Sequence, residues 1–119
     1  MSVRVGDRQH NPSAILETSR NLLAYTYQTC TSEKVFPKSQ RWALASPTLQ
    51  KAIKICDRAR QYTTEGITTQ EQEHYRRKLL NNLASIFTYI ELAYAARRIT
   101  ESQFEHWTEL AHLAYESIK

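Results

Sequence analysis

The sequence predicts an all-α fold, a bundle of four helices lying side by side, and three observations carry that prediction. The stretch Thr69 to Arg98 repeats apolar residues at spacings of three and four. At about 100° per residue Leu80, Leu83, Phe87, Ile90 and Tyr94 fall on one side, with Leu79, Ile86 and Ala93 widening the stripe. Arg77, Asn81, Thr88 and Glu91 fall opposite. At about 1.5 Å per residue this helix runs roughly 45 Å, a length suited to a bundle whose other helices lie alongside. Second, 119 residues with only two glycines and three prolines, and no apolar/polar alternation long enough for a strand, leave little material for turns or sheet. Third, the segments flanking this helix carry the same period and so supply its neighbours.

Taken in order, residues 1–12 lack helical periodicity and hold Arg4, Gly6 and Arg8, which reads as an extended arm ordered only by a partner. Residues 13–119 form the bundle. Pro12 and Ser13 open a first helix over about 13–31, with Ile15, Leu16, Ser19, Leu22, Leu23, Thr26 and Tyr27 facing inward. The segment Glu33 to Lys38 breaks the period, and Pro37 disfavours helical geometry at Phe36, so this is a loop with an apolar anchor. A second helix over about 39–64 is expected to kink or restart near 46–47, where Ser46-Pro47 resembles an N-cap followed by proline. Its inward face reads as Leu49, Ala52, Ile53, Cys56 and Ala59, with Lys51, Lys54 and Arg58 almost diametrically opposite. Gly66 suits a left-handed helix end, and Thr68 or Thr69 with Glu71 or Gln72 makes a capping box for the third helix, 69–98. Thr100 to Gln103 is a second capping box, opening a fourth helix, 100–118, with Phe104, Trp107, Leu110, Ala111, Ala114 and Ile118 inward. The short link at Ile99 makes helices 3 and 4 antiparallel neighbours.

The length bounds the chain to one domain, small enough that self-assembly would help stabilise it. No apolar run approaches the roughly 20 residues that span a bilayer, and the N-terminus has no apolar signal core, so a cytoplasmic protein with no membrane partner is expected. Cys30 and Cys56 lie on separate helices without a close-spaced partner and read as buried free thiols. The formal net charge of +4 is unevenly spread: residues 1–62 carry ten Lys and Arg against four Asp and Glu, and residues 63–119 carry six against eight. That imbalance favours an acidic partner, nucleic acid first.

Catalytic signatures are sparse. Two Glu-x-x-His spacings, Glu71 to His74 and Glu109 to His112, match half of the di-iron bundle pattern. Antiparallel packing would leave them roughly 25 Å apart along the helix axis, too far to share metals, and helix 2 offers no inward carboxylate. No phosphate loop or nucleophile elbow appears, so neither an enzyme nor a cofactor is expected. The stronger signal is the cationic set Lys51, Lys54 and Arg58, with Lys34, Lys38 and Arg41 just upstream, set against the plain alternative of a solvated face. Cations spaced at three and four along one helix repel one another, and phosphates would relieve that repulsion. Trp42 and Trp107 both fall on or beside apolar faces and read as core anchors.

Met1 to Arg8, the run Glu33-Lys34-Val35-Phe36-Pro37-Lys38-Ser39-Gln40-Arg41-Trp42, and Glu105-His106-Trp107 give the chain a family resemblance. It resembles the bacterial four-helix-bundle family that includes the accessory variability determinants of diversity-generating retroelements and the proteins encoded by intervening sequences in 23S ribosomal RNA genes. The resemblance covers most of the chain. It implies an up-down-up-down antiparallel four-helix bundle assembling into a pentameric ring with a basic surface. For the retroelement branch it implies binding to a reverse transcriptase and its template RNA. Lys34, Lys38 and Arg41 on the loop, and Arg4 and Arg8 on the arm, fit that basic surface. A scaffolding homo-oligomer that binds only protein is the rival expectation.

Overall fold

A computed structural model describes residues 11–119 and places them in four α-helices, with no strand among the described residues. Helix α1 spans Pro12–Cys30, α2 Ser46–Tyr62, α3 Thr69–Ala95 and α4 Glu101–Ile118. A 3₁₀ turn at Lys38–Gln40 and a π-helical turn at Arg41–Ala45 lead into α2. Helix α1 opens at Pro12, as the sequence reading has it: Asn11 is its N-cap, the Oδ1 accepting the Ala14 N–H at 3.2 Å, and Pro12 sits in the first turn, where a missing N–H costs nothing. The remainder of the arm, with Arg4 and Arg8, lies outside the described residues.

Every helix buries one line of side chains at alternating steps of four and three. The lines are Ile15, Ser19, Leu22, Thr26 and Thr29 in α1; Thr48, Ala52, Ile55, Ala59 and Tyr62 in α2; Leu79, Leu83, Ile86, Ile90 and Ala93 in α3; and Trp107, Ala111, Ala114 and Ile118 in α4. A mean step of 3.5 keeps one seam turned to the neighbouring helices over several turns. Helix α1 packs against α2 and α4, and α3 packs against the same two, giving a bundle-like body of 51 × 24 × 18 Å. No helix among the described residues is long and apolar enough to cross a membrane.

The seam of α4 runs through the expected Trp107, Ala111, Ala114 and Ile118, whereas the other three are rotated from the expected faces. In α3 the centre runs through Leu79, Ile86 and Ala93, while Leu80 and Phe87 flank it and Tyr94 is 40% exposed. In α1, Tyr27 is 58% exposed and Thr29 is buried in its place. The largest rotation is in α2, where Ile55 and Tyr62 are buried and Ile53 faces outward. Wide apolar stripes leave their centre undetermined, and small or hydroxylated residues such as Ala93, Thr29 and Thr48 occupy the tight line where helices approach.

The expected break at Ser46-Pro47 takes another form. Ser46 has helical dihedrals and makes no side-chain cap; the chain stays helical through Pro47, and the π turn precedes it. The Ser46 N–H reaches the Arg41 carbonyl, five residues back. Proline lacks an N–H and crowds the carbonyl four residues before it, and one extra residue in a widened turn accommodates both. Thr48, buried, donates its hydroxyl to the Leu44 carbonyl at 2.7 Å and secures the next turn.

The ends of α3 and α4 are closed locally. Gly66 has φ +83° in the turn after α2. Thr68 and Glu71 form a reciprocal capping box at the start of α3, as Thr100 and Gln103 do for α4. Helix α3 ends in a Schellman arrangement: the Arg98 N–H bonds the Ala93 carbonyl at 2.9 Å and the Arg97 N–H bonds Tyr94 at 3.0 Å. Arg97 sits at φ +61°, a left-handed position that usually falls to glycine. Ile99 is buried in the short link, between the α3 and α4 ends.

Candidate nucleic-acid interface

The loop after α1 is built on Phe36. Its ring is buried, and the N–H groups of Val35 and Phe36 both reach the Ser32 carbonyl, at 3.2 and 2.8 Å. This anchor turns Glu33 and Lys34 outward, and Pro37, extended at ψ 166°, sends the chain into the 3₁₀ turn that exposes Lys38. Running the 4–3 seam of α2 backwards from Thr48 through Ala45 would place Arg41 on the buried line. The extra residue of the π turn takes it off that line, and Arg41 is exposed at the rim of a small cavity of about 260 Å³ beside Cys30, Phe36 and Leu49. Burial there pushes the Cys30 thiol up to about 12, which favours the protonated form.

The set read from α2 does not form one outward row. Lys54 is exposed, whereas Lys51 and Arg58 are half-buried on the shoulder of the seam. The expectation that all three lie opposite the core is therefore corrected. It took Leu49, Ala52, Ile53, Cys56 and Ala59 as the inward face, whereas the buried line runs through Thr48, Ala52, Ile55, Ala59 and Tyr62. Arg58 donates from Nη1 to Gln61 Oε1 at 2.8 Å, and its Nε is buried without a partner among the described residues.

The ion pairs among the described residues lie elsewhere. Glu73 meets Arg76 at 3.7 Å and Arg77 at 3.8 Å, and Glu116 meets His112 at 3.7 Å and Lys119 at 3.6 Å. Lys34, Lys38, Arg41, Lys51 and Lys54 have no such partner among the described residues. From Arg41 to Lys54 these cations extend over roughly 20 Å of helix axis. Glu71, by contrast, is held below the usual carboxylate range by the Thr68 backbone N–H and then by the Thr68 hydroxyl. That carboxylate caps a helix, and His74, Glu109 and His112 are likewise outside the core. Among the described residues no three His, Cys, Asp or Glu side chains gather to hold a metal ion.

Two surface features were not read from the sequence. Trp42, expected in the core, is 78% exposed on the π turn, displaced with Arg41 by the same extra residue. The signal that could have found it is Pro47, five residues on, which forbids an ordinary α-turn there. Between α1 and α2 an open apolar groove is lined by Leu23, Ala24, Tyr27, Leu49 and Ile53, with Arg20 and Gln28 at its edge. It exists because Tyr27 and Ile53 lie off their seams. No family model matches the chain, and neither a curated protein nor a solved structure does.

Proposed function

We propose that this chain is a non-enzymatic, cytoplasmic accessory protein of a retroelement that holds the RNA or DNA backbone through its basic loop and α2 and docks a reverse transcriptase. The observation that carries the nucleic-acid part is the run of cations Lys34, Lys38, Arg41, Lys51 and Lys54, none with a carboxylate partner among the described residues. Unneutralised cations gain by releasing counterions from a polyanion, and such pairing positions a backbone without reading bases. The reverse transcriptase, and assembly as a pentameric ring, rest on the resemblance carried by the Phe36-Pro37-Lys38 loop and its flanks. An up-down-up-down course of the helices belongs to the same reading. It is supported by the pairing of Thr18 with Ser117 at 3.1 Å and of Thr26 with Trp107 at 2.9 Å, which runs in opposite directions along α1 and α4.

Arg58→Gln disturbs a half-buried side chain, so Lys38, Arg41 and Lys54, all exposed, are the cleaner set. Replacing these three with glutamine is expected to reduce the salt slope of RNA binding by about one for each phosphate left unneutralised, with helicity and mass unchanged. Binding that keeps the wild-type slope overturns the proposal. Failure of a reverse transcriptase encoded beside this gene to co-elute with the protein would remove the docking part alone.

A second reading, a scaffolding homo-oligomer that binds only protein, is favoured by the uncovered groove of Leu23, Tyr27, Leu49 and Ile53. It expects no mobility shift of labelled RNA at low salt.

A further inference from the structure

Trp42 is the most exposed of the large apolar side chains among the described residues, and its ring touches no other aromatic there. It stands apart from the apolar groove, whose lining does not include it. Its neighbours along the chain are cationic: Arg41 precedes it directly and Lys38 lies four residues back, in continuous helical turns. Neither cation has an ion-pair partner among the described residues. The backbone beneath is fixed by the Ser46 to Arg41 hydrogen bond and by the burial of Leu44 and Ala45, so the indole is presented from an ordered platform.

An exposed flat ring among unpaired cations matches a ligand that is itself flat and anionic. A protein partner would cover the indole with apolar side chains, for which Lys38 and Arg41 are poor surroundings. A nucleic-acid duplex keeps its base faces within its own stack and has none to offer. A single strand offers both a free base face and phosphates.

We propose that Trp42 is a stacking platform for an unpaired nucleobase, with Lys38 and Arg41 holding the adjacent phosphates, so that the protein prefers single-stranded nucleic acid to duplex. The proposal rests on the nucleic-acid reading above and adds a strand preference and a residue to it.

The test titrates the full chain with a labelled oligouridylate of about 20 nucleotides and with an RNA duplex of the same length, at low salt. Wild type is expected to bind the single strand more tightly, with quenching of the exposed Trp42 emission while buried Trp107 is unaffected. Trp42→Ala is expected to weaken single-strand binding about tenfold or more and to leave duplex binding within about twofold, and Trp42→Phe to keep most of the affinity. Single-strand affinity unchanged in Trp42→Ala overturns the platform and leaves the electrostatic reading standing. A fall in light-scattering mass for Trp42→Ala makes the indole a subunit contact and also overturns it. Wild type binding neither RNA removes this proposal and the nucleic-acid reading together.

Discussion

Trp107 and Trp42 mark two regions of one molecule that treat the same side chain in opposite ways. In the seam between α1 and α4, Trp107 is wholly buried and its indole N–H donates to Thr26 Oγ1 at 2.9 Å; Thr26 in turn donates to the Leu22 carbonyl at 2.7 Å. Tyr25 stands edge-on to it, with ring centroids 6.0 Å apart. Each of these polar side-chain atoms has a partner, so the large ring contributes its full apolar area at no polar cost. On the π turn, Trp42 has neither a hydrogen bond nor a ring neighbour among the described residues. One region commits its tryptophan to stability. The other leaves it exposed to solvent.

Four measurements break or sharpen that contrast. The largest effect is expected from Trp107→Ala, at about 3–5 kcal/mol lost in urea unfolding, whereas Trp42→Ala is expected to stay within about 0.5 kcal/mol. Comparable losses at the two sites would end the contrast. Next comes Thr26→Val, which keeps the volume but strands the indole N–H; a loss of about 1–3 kcal/mol is expected, and a neutral result would mean that the hydrogen bond contributes nothing. Smaller and opposite in sign, Arg97→Gly relieves the left-handed backbone at the end of α3 and is expected to stabilise by about 1 kcal/mol.

The smallest effect separates the two capping boxes. Glu71 has a folded pKa below its unfolded one, so its stabilisation is present above the ordinary carboxylate range and is lost as pH falls through the folded value. Thermal melts of wild type and Glu71→Gln are therefore expected to converge in acid. The Gln103→Glu variant should gain the same acid sensitivity that the uncharged Thr100–Gln103 box lacks.

The all-helical class and both capping boxes were legible because they rest on local chemistry: a period near 3.6, and Thr followed three residues later by Glu or Gln. The direction of each face was harder. Thr48 and Tyr62 carry polar atoms yet line the seam of α2, while Ile53 is apolar yet faces a groove, so hydrophobicity alone set the centre wrongly. That error placed Lys51 and Arg58 opposite the core when they lie on its shoulder. The π turn was legible only in part: Pro47 announced a disturbance, but whether the chain would break or widen depends on Leu44 and Ala45 being drawn inward.

Thr18, in the second turn of α1, meets Ser117, near the end of α4. The end of α4 and the early turns of α1 therefore share one end of the helical body. The loop bearing Lys34, Lys38 and Trp42 follows the other end of α1, about 27 Å away along an axis of 19 residues. A dye or fusion carried at the C-terminus stands far from the cationic loop, so immobilising the protein there leaves that surface open to whatever it meets.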